Sequence, residues 1–319
     1  MMEKISIAMA TYNGEKFLRE QLDSILVQSW TNFELIICDD CSTDKTTEII
    51  AEYQKKDARI KFFQNTVNLG FKKNFERIIT LCTSDFIALC DQDDIWTIDH
   101  LKILYENIGD NDCIGANSLI VNEKGISQNK TLLEYWPIHI LPENADDLFY
   151  HELYSNMIQG STSLIRSSLI KKALPIPENI KYHDYWFALI AGLNGGTKYI
   201  SDVILMYRRH SNNASAYQLF SIINAVKDLY KFSKSRKDFY SDSINLLQNL
   251  MAVKNISDKK KEQINQALVF YTNLSNNTNK IKSIYYYIKN YNLITLSKRM
   301  NLGLFLYRLF GLIIFGIKA

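Results

Sequence analysis

Short apolar runs alternate with amphipathic segments through the first part of the chain. Four of these runs have the length of buried strands: Ile5–Ala10, Glu34–Cys38, Ile60–Phe63 and Phe86–Cys90. Between them, apolar residues recur at helical spacing and predict three helices, over Glu15–Gln28, from a Ser42–Asp44 cap to about Lys55, and near Lys72–Cys82. This alternation indicates an α/β fold with a mostly parallel sheet and helices on both faces.

The rest of the chain is mixed at first and then helical. Ile114–Val121 and Lys198–Leu205 read as strands, and Asp184–Ala191 reads as a helix. From Tyr217 the pattern becomes helical and rich in lysine, with no glycine until Gly303. We therefore place a boundary near Ser215, between a domain of residues 1–215 and a helical C-terminal region of residues 216–319.

Polar residues follow three of the predicted strands at the point where each strand ends. Thr11, Asp39 and Asp91 all occupy such positions. Ligands of open parallel sheets bind outside the carboxyl ends of the strands, so these residues predict a site. Asp91, Asp93 and Asp94 also crowd three carboxylates together, which a hard divalent cation would neutralise. The alternative is an acidic helix N-terminus.

Charge is distributed unevenly along the chain. Residues 216–319 contain 16 Lys and Arg against 5 Asp and Glu, a net charge of +11, whereas residues 1–215 carry −8. A basic region favours nucleic acid or an anionic membrane surface as a partner. Leu302–Ile317 is apolar apart from Arg308 and predicts an interfacial membrane anchor, with a core helix as the alternative.

The cysteines and the N-terminus indicate a cytoplasmic protein. The five cysteines are odd in number, and Cys38 and Cys90 lie inside apolar strands, which predicts free thiols in a reducing compartment. The chain enters its first strand directly, so no signal peptide is expected. No run of apolar residues is long enough for a confident transmembrane helix.

No dinucleotide-binding GxGxxG and no Walker A loop is present. Several segments instead resemble, in order, the motifs of family 2 glycosyltransferases with the GT-A fold: Ala10–Asn13, Cys38–Thr46, Asn68–Asn74, Asp91–Asp94, Gln159–Ser161, His183–Trp186 and Tyr207–His210. The resemblance covers roughly residues 4–215. It implies an inverting, metal-dependent transfer of a sugar from a nucleotide-sugar.

The resemblance also implies roles for individual residues. Asp184 is expected to be the catalytic base, and Asp93 and His210 to bind Mn²⁺ or Mg²⁺. Gly160 and Trp186 are expected to contact the acceptor. Asp39 is expected to accept the ring N–H of uracil or thymine. The full set expected at the nucleotide-sugar is Thr11, Tyr12, Asn13, Glu15, Asp39, Asn68, Gly70, Asn74, Asp91, Gln92 and Arg208.

Three segments narrow the resemblance to bacterial rhamnosyltransferases: Cys90–Trp96, His183–Trp186 and Tyr207–His210. This implies dTDP-rhamnose as the donor and a lipid-linked surface polysaccharide as the acceptor, although similar enzymes use UDP-hexoses. The basic tail would then hold the enzyme at the inner face of the cell membrane. Many relatives have Glu-Asp at the base motif, where this chain has His183 before Asp184.

The sequence gives weaker support to two other functional classes than to a glycosyltransferase. A nucleotidyltransferase also uses paired aspartates and a metal, but it needs a glycine-rich basic loop where this chain has Ala10–Glu15. A nucleic-acid-binding protein would suit the basic tail, yet no RNA-binding or helix-turn-helix signature is present, so no nucleic acid partner is expected. The helical tail offers an interface for a homodimer.

Overall fold

The computed structural model describes residues 2–135, 142, 144–211, 213 and 229–276. The strands of these ranges are β1 (Ile5–Thr11), β2 (Phe33–Asp39), β3 (Ile60–Gln64), β4 (Phe86–Cys90), β5 (Ile95–Trp96), β6 (Cys113–Val121), β7 (Ser127–Thr131), β8 (Leu164–Arg166) and β9 (Thr197–Arg208). The helices are α1 (Leu18–Leu26), α2 (Thr46–Lys56), α3 (Phe71–Leu81), α4 (His100–Ile108), α5 (Leu132–Tyr135), α6 (Ala145–Glu152), α7 (Ser167–Ala173), α8 (His183–Leu193), α9 (Leu229–Met251) and α10 (Asp258–Asn276).

The strands form one mixed sheet in the order β3-β2-β1-β4-β8-β6-β9-β5, and β7 pairs with β6. The long pairings of β1 with β2 and β4, of β2 with β3, and of β6 with β9 are parallel, whereas β5, β7 and β8 pair antiparallel. Strands β2 and β4 are buried along their whole length. Burial on both faces explains their continuous apolar runs, and the predicted α/β class is confirmed.

The predicted strands and helices are present, with ends shifted by a few residues. The sequence did not predict β7, whose five residues are all polar, nor β5 and β8, which span only two and three residues. Such short segments carry too few side chains to show a period. Helices α4 to α7 were also not predicted.

Register places the polar strand ends at one edge of the sheet. Thr11 on β1 pairs with Asp39 on β2, and Met9 pairs with Cys90, the last residue of β4. Asp91 therefore follows at the same edge. The convergence that the sequence predicted is confirmed.

Helices α9 and α10 pack against each other, and α9 contacts α8. The described part of the C-terminal region is therefore helical, as predicted. The boundary near Ser215 and the apolar segment Leu302–Ile317 lie outside the described residues. Of the helices described, none combines the length and the apolar character needed to cross a bilayer. All five cysteines are free thiols, as the odd count predicted.

Candidate active site

A cavity of about 400 Å³ opens where β1, β2 and β4 end. A volume of this size suits a small-molecule ligand. Eight residues predicted to bind donor or metal line it: Thr11, Tyr12, Asn68, Gly70, Asn74, Asp91, Gln92 and Asp93. The lining also contains residues that the prediction did not include: Ala10, Asp40, Phe71, Phe75, Tyr207 and Asn213.

Asp40 is the lining carboxylate next to β2. Its Oδ1 accepts hydrogen bonds from the side chain of Asn65 (2.6 Å) and from the backbone N–H of Leu69 (2.8 Å). Its Oδ2 accepts one bond, from the N–H of Gly70 at 2.8 Å. Gly70 has φ of +78°, a conformation that glycine adopts at little cost. Oδ2 therefore keeps acceptor capacity toward a ligand in the cavity.

Asp39 does not line the cavity, which is at odds with its predicted contact with the base. Its carboxylate is fully buried, and Oδ1 accepts hydrogen bonds from the hydroxyls of Thr11 (3.0 Å) and Ser42. Oδ2 accepts the backbone N–H of Ser42 at 2.8 Å. Asp39 thus ties the ends of β1 and β2 to the following loop. Of the two neighbouring aspartates, Asp39 makes structural hydrogen bonds within the fold, whereas Asp40 lines the cavity.

Asn13 and Glu15 also lie outside the cavity lining. The side-chain oxygen of Asn13 accepts the N–H of Thr43 at 2.8 Å, and Glu15 accepts the N–H of Lys45 at 3.0 Å. Both side chains therefore fasten the loop after β1 to the start of α2. The contact with a nucleotide-sugar that was predicted for them does not fit this arrangement.

Gln92 and Asn74 line the cavity with side chains that are already hydrogen-bonded. Gln92 accepts the N–H of Tyr12 at 2.9 Å and donates to the carbonyl of the same residue at 3.0 Å. Asn74 donates to the carbonyl of Cys38 at 2.8 Å. Their polar atoms hold the walls in place, and Tyr12 remains about half exposed at the rim.

Asp93 and His210, the predicted metal ligands, are in direct contact. Nε2 of His210 lies 2.8 Å from Oδ2 of Asp93, and the backbone N–H of His210 donates to Asn213 at 2.6 Å. Burial, followed by the charges of Asp93 and Asp184, raises the pKa of Asp91 to about 8. A bound cation would favour the ionised form of that carboxyl group.

Asp93 and His210 carry ligand atoms that suit a hard divalent cation, and such a cation would also bind the diphosphate of the nucleotide-sugar. No group of three or more His, Cys, Asp and Glu ligands occurs among the residues that the structure describes. Magnesium sites commonly take one or two carboxylates, with substrate phosphates completing the coordination. Asp93 and His210, which are in contact, supply one carboxylate and one imidazole ligand of the kind that Mn²⁺ also accepts.

Arg208 does not fit its predicted role at the nucleotide-sugar, because its guanidinium is buried and hydrogen-bonded within the protein. Nε donates to the carbonyl of Asp93 at 2.9 Å, and Nη1 donates to the carbonyl of Glu123 at 2.8 Å. Nη2 pairs with Glu20 on α1. The backbone N–H of Arg208 also donates to Asp94 at 3.0 Å. Arg208 therefore supports the loop that carries Asp93 and Asp94.

Asp184 lies in the first turn of α8 and faces Gly160. The N–H of Gly160 donates to Oδ2 of Asp184 at 3.0 Å. A methyl group on the Cα of Gly160 would lie 3.3 Å from the Cβ of Asp184, so glycine leaves room for this side chain. The charge of Asp184 contributes to the raised pKa of Asp91, so the two carboxyl groups lie within electrostatic range of each other.

Trp186 does not contact the site, which is at odds with its predicted contact with the acceptor. The ring is 4% exposed, and its N–H donates to the carbonyl of Ala173 at 2.8 Å. It therefore belongs to the core between α7 and α8. Phe71 and Phe75 form apolar cavity wall instead, and their spacing on an amphipathic helix gave no sign of a site.

Residues 6–173 match the sequence profile of Glycosyl transferase family 2. The chain belongs to this family. Among curated relatives, the dTDP-rhamnosyl transferase RfbG of Shigella flexneri is 28% identical over 260 residues, which cover 76% of this chain and 84% of that protein. The chain is thus a nucleotide-sugar-dependent glycosyltransferase, and this confirms the enzyme class that the sequence motifs predicted.

Solved structures share the fold. Residues 1–349 of S. aureus TarS, in complex with UDP-GlcNAc, superpose with a TM-score of 0.61 at 20% identity, over 98% of this chain and 89% of that one. The mannosyltransferase PcManGT from Pyrobaculum calidifontis, in complex with GDP-Man and Mn²⁺, gives 0.57 at 13% identity, over 98% and 87%. The predicted GT-A architecture is confirmed.

Proposed function

We propose that this glycosyltransferase moves a sugar, with rhamnose from dTDP-rhamnose favoured, onto a lipid-linked glycan acceptor with inversion at the anomeric carbon. The observation that carries the proposal is the arrangement of carboxylates. Asp40, Asp91 and Asp93 line one cavity, and Asp184 lies within electrostatic reach of Asp91. Support for rhamnose comes from the similarity to the dTDP-rhamnosyl transferase RfbG.

Asp40 is the carboxylate that we assign to the pyrimidine base. A uracil or thymine imide offers an N–H donor, and Oδ2 of Asp40 has acceptor capacity toward the cavity. Asp39 is engaged by Thr11 and Ser42 and supports the loop from behind. Asp40→Asn should weaken UDP and dTDP binding about 10- to 100-fold, since it replaces a charged acceptor. Asp39→Asn should chiefly lower the melting temperature.

Asp93 and His210 are the residues that would hold Mn²⁺ or Mg²⁺, and the diphosphate of the donor would complete the coordination. The bound cation would neutralise the negative charge that develops on the leaving diphosphate. The Mn²⁺ complex of the structurally similar mannosyltransferase supports this assignment. In the apo protein, the raised pKa of Asp91 keeps the carboxylates from repelling one another.

Asp184 acts as the general base in this proposal. Its carboxylate takes the proton of an acceptor hydroxyl while the hydroxyl oxygen forms a bond to the anomeric carbon. The bond from that carbon to the diphosphate oxygen breaks on the opposite face, and the nucleoside diphosphate leaves with the electron pair. The hydrogen bond from Gly160 fixes the orientation of the carboxylate before the acceptor arrives.

Calorimetry with dTDP-rhamnose, UDP-glucose, UDP-galactose and UDP-N-acetylglucosamine, each with and without Mn²⁺, tests the donor. We expect metal-dependent micromolar binding of dTDP-rhamnose. Metal-dependent binding of a UDP-hexose instead would support the alternative donor class. Binding of none of them by folded protein would contradict the proposal.

Asp184→Asn tests the base, and Asp85→Asn is a matched control because Asp85 is exposed at the opposite end of β4. Asp184→Asn should lower transfer by at least 1,000-fold and leave donor affinity within about threefold, since the base acts only in the chemical step. Loss of donor affinity would contradict its assignment.

Our proposals for the acceptor and for the cellular location of the enzyme rest on the charge of the C-terminal region. Its +11 net charge and the apolar segment Leu302–Ile317 favour the anionic inner face of the cell membrane, where a lipid-linked acceptor would lie. Deletion from residue 302 onward should abolish binding to vesicles that contain phosphatidylglycerol. Retained vesicle binding would contradict the anchor.

A further inference from the structure

Phe17, just before α1, is a buried aromatic residue that does not pack into the main hydrophobic core. It is 9% exposed. Among the described residues, the core cluster includes the next residue, Leu18, but not Phe17. A buried phenylalanine usually packs its ring against other apolar groups. The ring of Phe17 instead lies beside side chains of the proposed metal site.

Two nitrogen-bearing side chains at the end of β9 contact this ring. The ring centroid of Phe17 lies 4.8 Å from the centroid of the His210 imidazole, with an interplanar angle of 34°. The guanidinium carbon of Arg208 lies 4.9 Å from the same centroid, which is within the range of a cation–π contact. Phe17 thus contacts both the proposed ligand His210 and the residue that supports the loop of Asp93.

Hydrogen bonds at the start of α1 fix the backbone of Phe17. Its N–H donates to the carbonyl of Gly14 at 3.1 Å, and its carbonyl accepts the N–H of Gln21 at 3.3 Å. The N–H of Gly14 in turn donates to the hydroxyl of Thr46 at 2.8 Å. The ring therefore meets His210 from a fixed position, and it joins the loop after β1 to the proposed metal site.

The contact with Phe17 restricts the imidazole of His210 without competing for its nitrogens. A phenyl ring has neither an N–H nor a hydrogen-bonding lone pair, so it does not draw Nε2 away from Oδ2 of Asp93, 2.8 Å distant. Leucine at position 17 would keep an apolar side chain but would lack the flat face that sets the tilt of the imidazole. Groups that orient a metal-binding histidine commonly change metal affinity about 10- to 100-fold.

We propose that Phe17 is a positioning residue for the metal site, whose ring holds the imidazole of His210 in the orientation that directs Nε2 to Asp93. The inference rests on the proposed role of Asp93 and His210 as the residues that would hold the cation. Phe17 itself contacts neither the cation nor the donor, and it acts through His210.

Phe17→Leu tests the contact because it removes the ring and keeps an apolar side chain. We expect it to weaken Mn²⁺ binding in the presence of UDP about 10-fold, and to leave UDP binding without metal within about twofold of wild type. Titration calorimetry measures both affinities. Phe17→Tyr keeps the ring and should bind Mn²⁺ more tightly than Phe17→Leu.

Phe33→Leu is the matched control. Phe33 is also buried and also contacts a guanidinium, since the guanidinium carbon of Arg59 lies 4.0 Å from its ring centroid. It lies at the start of β2, however, at the opposite end of the strand from the site. Phe33→Leu should lower the melting temperature and leave Mn²⁺ affinity unchanged.

A double-mutant cycle with His210→Asn shows whether Phe17 acts through His210. If it does, adding Phe17→Leu to His210→Asn should weaken Mn²⁺ binding by less than about twofold further. Additive losses, an equal loss in Phe33→Leu, or no loss in Phe17→Leu would overturn the inference.

Nitrogen NMR of metal-free, ¹⁵N-histidine-labelled enzyme gives a readout that does not depend on the cation. The Nε2 signal of His210, assigned by its absence in His210→Asn, should shift in Phe17→Leu and not in Phe33→Leu, because only the first changes the contact with Asp93. An unshifted signal in Phe17→Leu contradicts the inference. Unchanged Mn²⁺ affinity in His210→Asn would refute the proposed metal site itself, whereas a weakened His210→Asn with an unimpaired Phe17→Leu refutes only this inference.

Discussion

Nε2 of His210 lies 2.8 Å from Oδ2 of Asp93, although 117 positions separate the two residues. His210→Asn should weaken Mn²⁺ binding in the presence of UDP about 10- to 100-fold, because the imidazole either binds the cation or orients the carboxylate that does. Asp93→Asn should remove the metal dependence of UDP binding. Titration calorimetry of UDP with and without Mn²⁺ measures both effects. Unchanged metal dependence in Asp93→Asn would contradict its assignment as a ligand.

Arg208→Lys separates a supporting role from direct binding of the diphosphate. Lysine keeps the positive charge but lacks the planar fork that donates to the carbonyls of Asp93 and Glu123. We expect about 10-fold weaker Mn²⁺ binding with UDP present, a melting temperature several degrees lower, and unchanged UDP affinity without metal. Arg209→Lys is the neighbouring control. A drop in metal-free UDP affinity would mean that Arg208 contacts the diphosphate.

Lys72 holds the segment that leads into α8, the helix that carries the proposed base Asp184. Its ammonium donates to the carbonyls of Pro177 (3.3 Å), Glu178 (2.7 Å) and Ile180 (3.0 Å). Lys72→Met should lower kcat for nucleoside diphosphate release about 10-fold, because misplacing the base by a small distance is costly. Donor affinity should not change.

The adjacent Lys73→Met is the control for Lys72→Met. Within the described part of the chain, Lys73 pairs with the side chains of Glu76 and Glu178, so Lys73→Met should change kcat less than twofold. Equal effects of the two variants would indicate that charge, and not the bonds to the carbonyls, matters at this position.

Glu34 makes stability depend on pH. Burial alone would raise its pKa, but hydrogen bonds from Lys4, Lys61, Ser6 and Thr83 hold the pKa of Glu34 well below its usual value of 4.5. A lowered folded-state pKa contributes stability that is fully present above pH 4.5 and declines as pH falls below it. Glu34→Gln should therefore unfold about 1–2 kcal/mol more easily at pH 7.

The difference between wild type and Glu34→Gln should shrink as pH falls from 4.5 to 3. Urea unfolding at a series of pH values measures it. Glu48→Gln, at an exposed position of α2, is the control and should show no such trend. A difference that stays constant with pH would show that lost packing, and not the carboxylate charge, causes the effect.

The sequence predicted the buried half of the fold well, since continuous apolar runs such as Phe86–Cys90 follow directly from burial on both faces of a sheet. It could not predict the short β5 and β8 strands, whose two and three residues are defined by their partners in the sheet. Tertiary pairing, and not local pattern, decides whether such segments are strands.

At the site, the motifs identified the correct segments but not the direction of each side chain. Asp39 and Asp40 are chemically identical neighbours, and only the path of the loop after β2 turns the second toward the cavity. The charge of Arg208 suggested a position on the protein surface. The side chain is nevertheless only 1% exposed, because its guanidinium N–H groups donate to backbone carbonyls. Trp186 likewise finds a partner for its N–H inside the core.

The amide of Gln92 bonds both the N–H and the carbonyl of Tyr12, which in a strand ladder would bond two successive peptide groups of the neighbouring strand. It acts as a surrogate rung of the ladder between β1 and β4, beyond the last true pairing of Met9 with Cys90. The backbone of Asp91 and Asp93 therefore does not have to keep the extended conformation of a strand, and it can adopt a loop conformation that suits a ligand. The ends of β1 and β4 stay connected, because the side chain of Gln92 supplies the hydrogen bonds that the main chain no longer makes there.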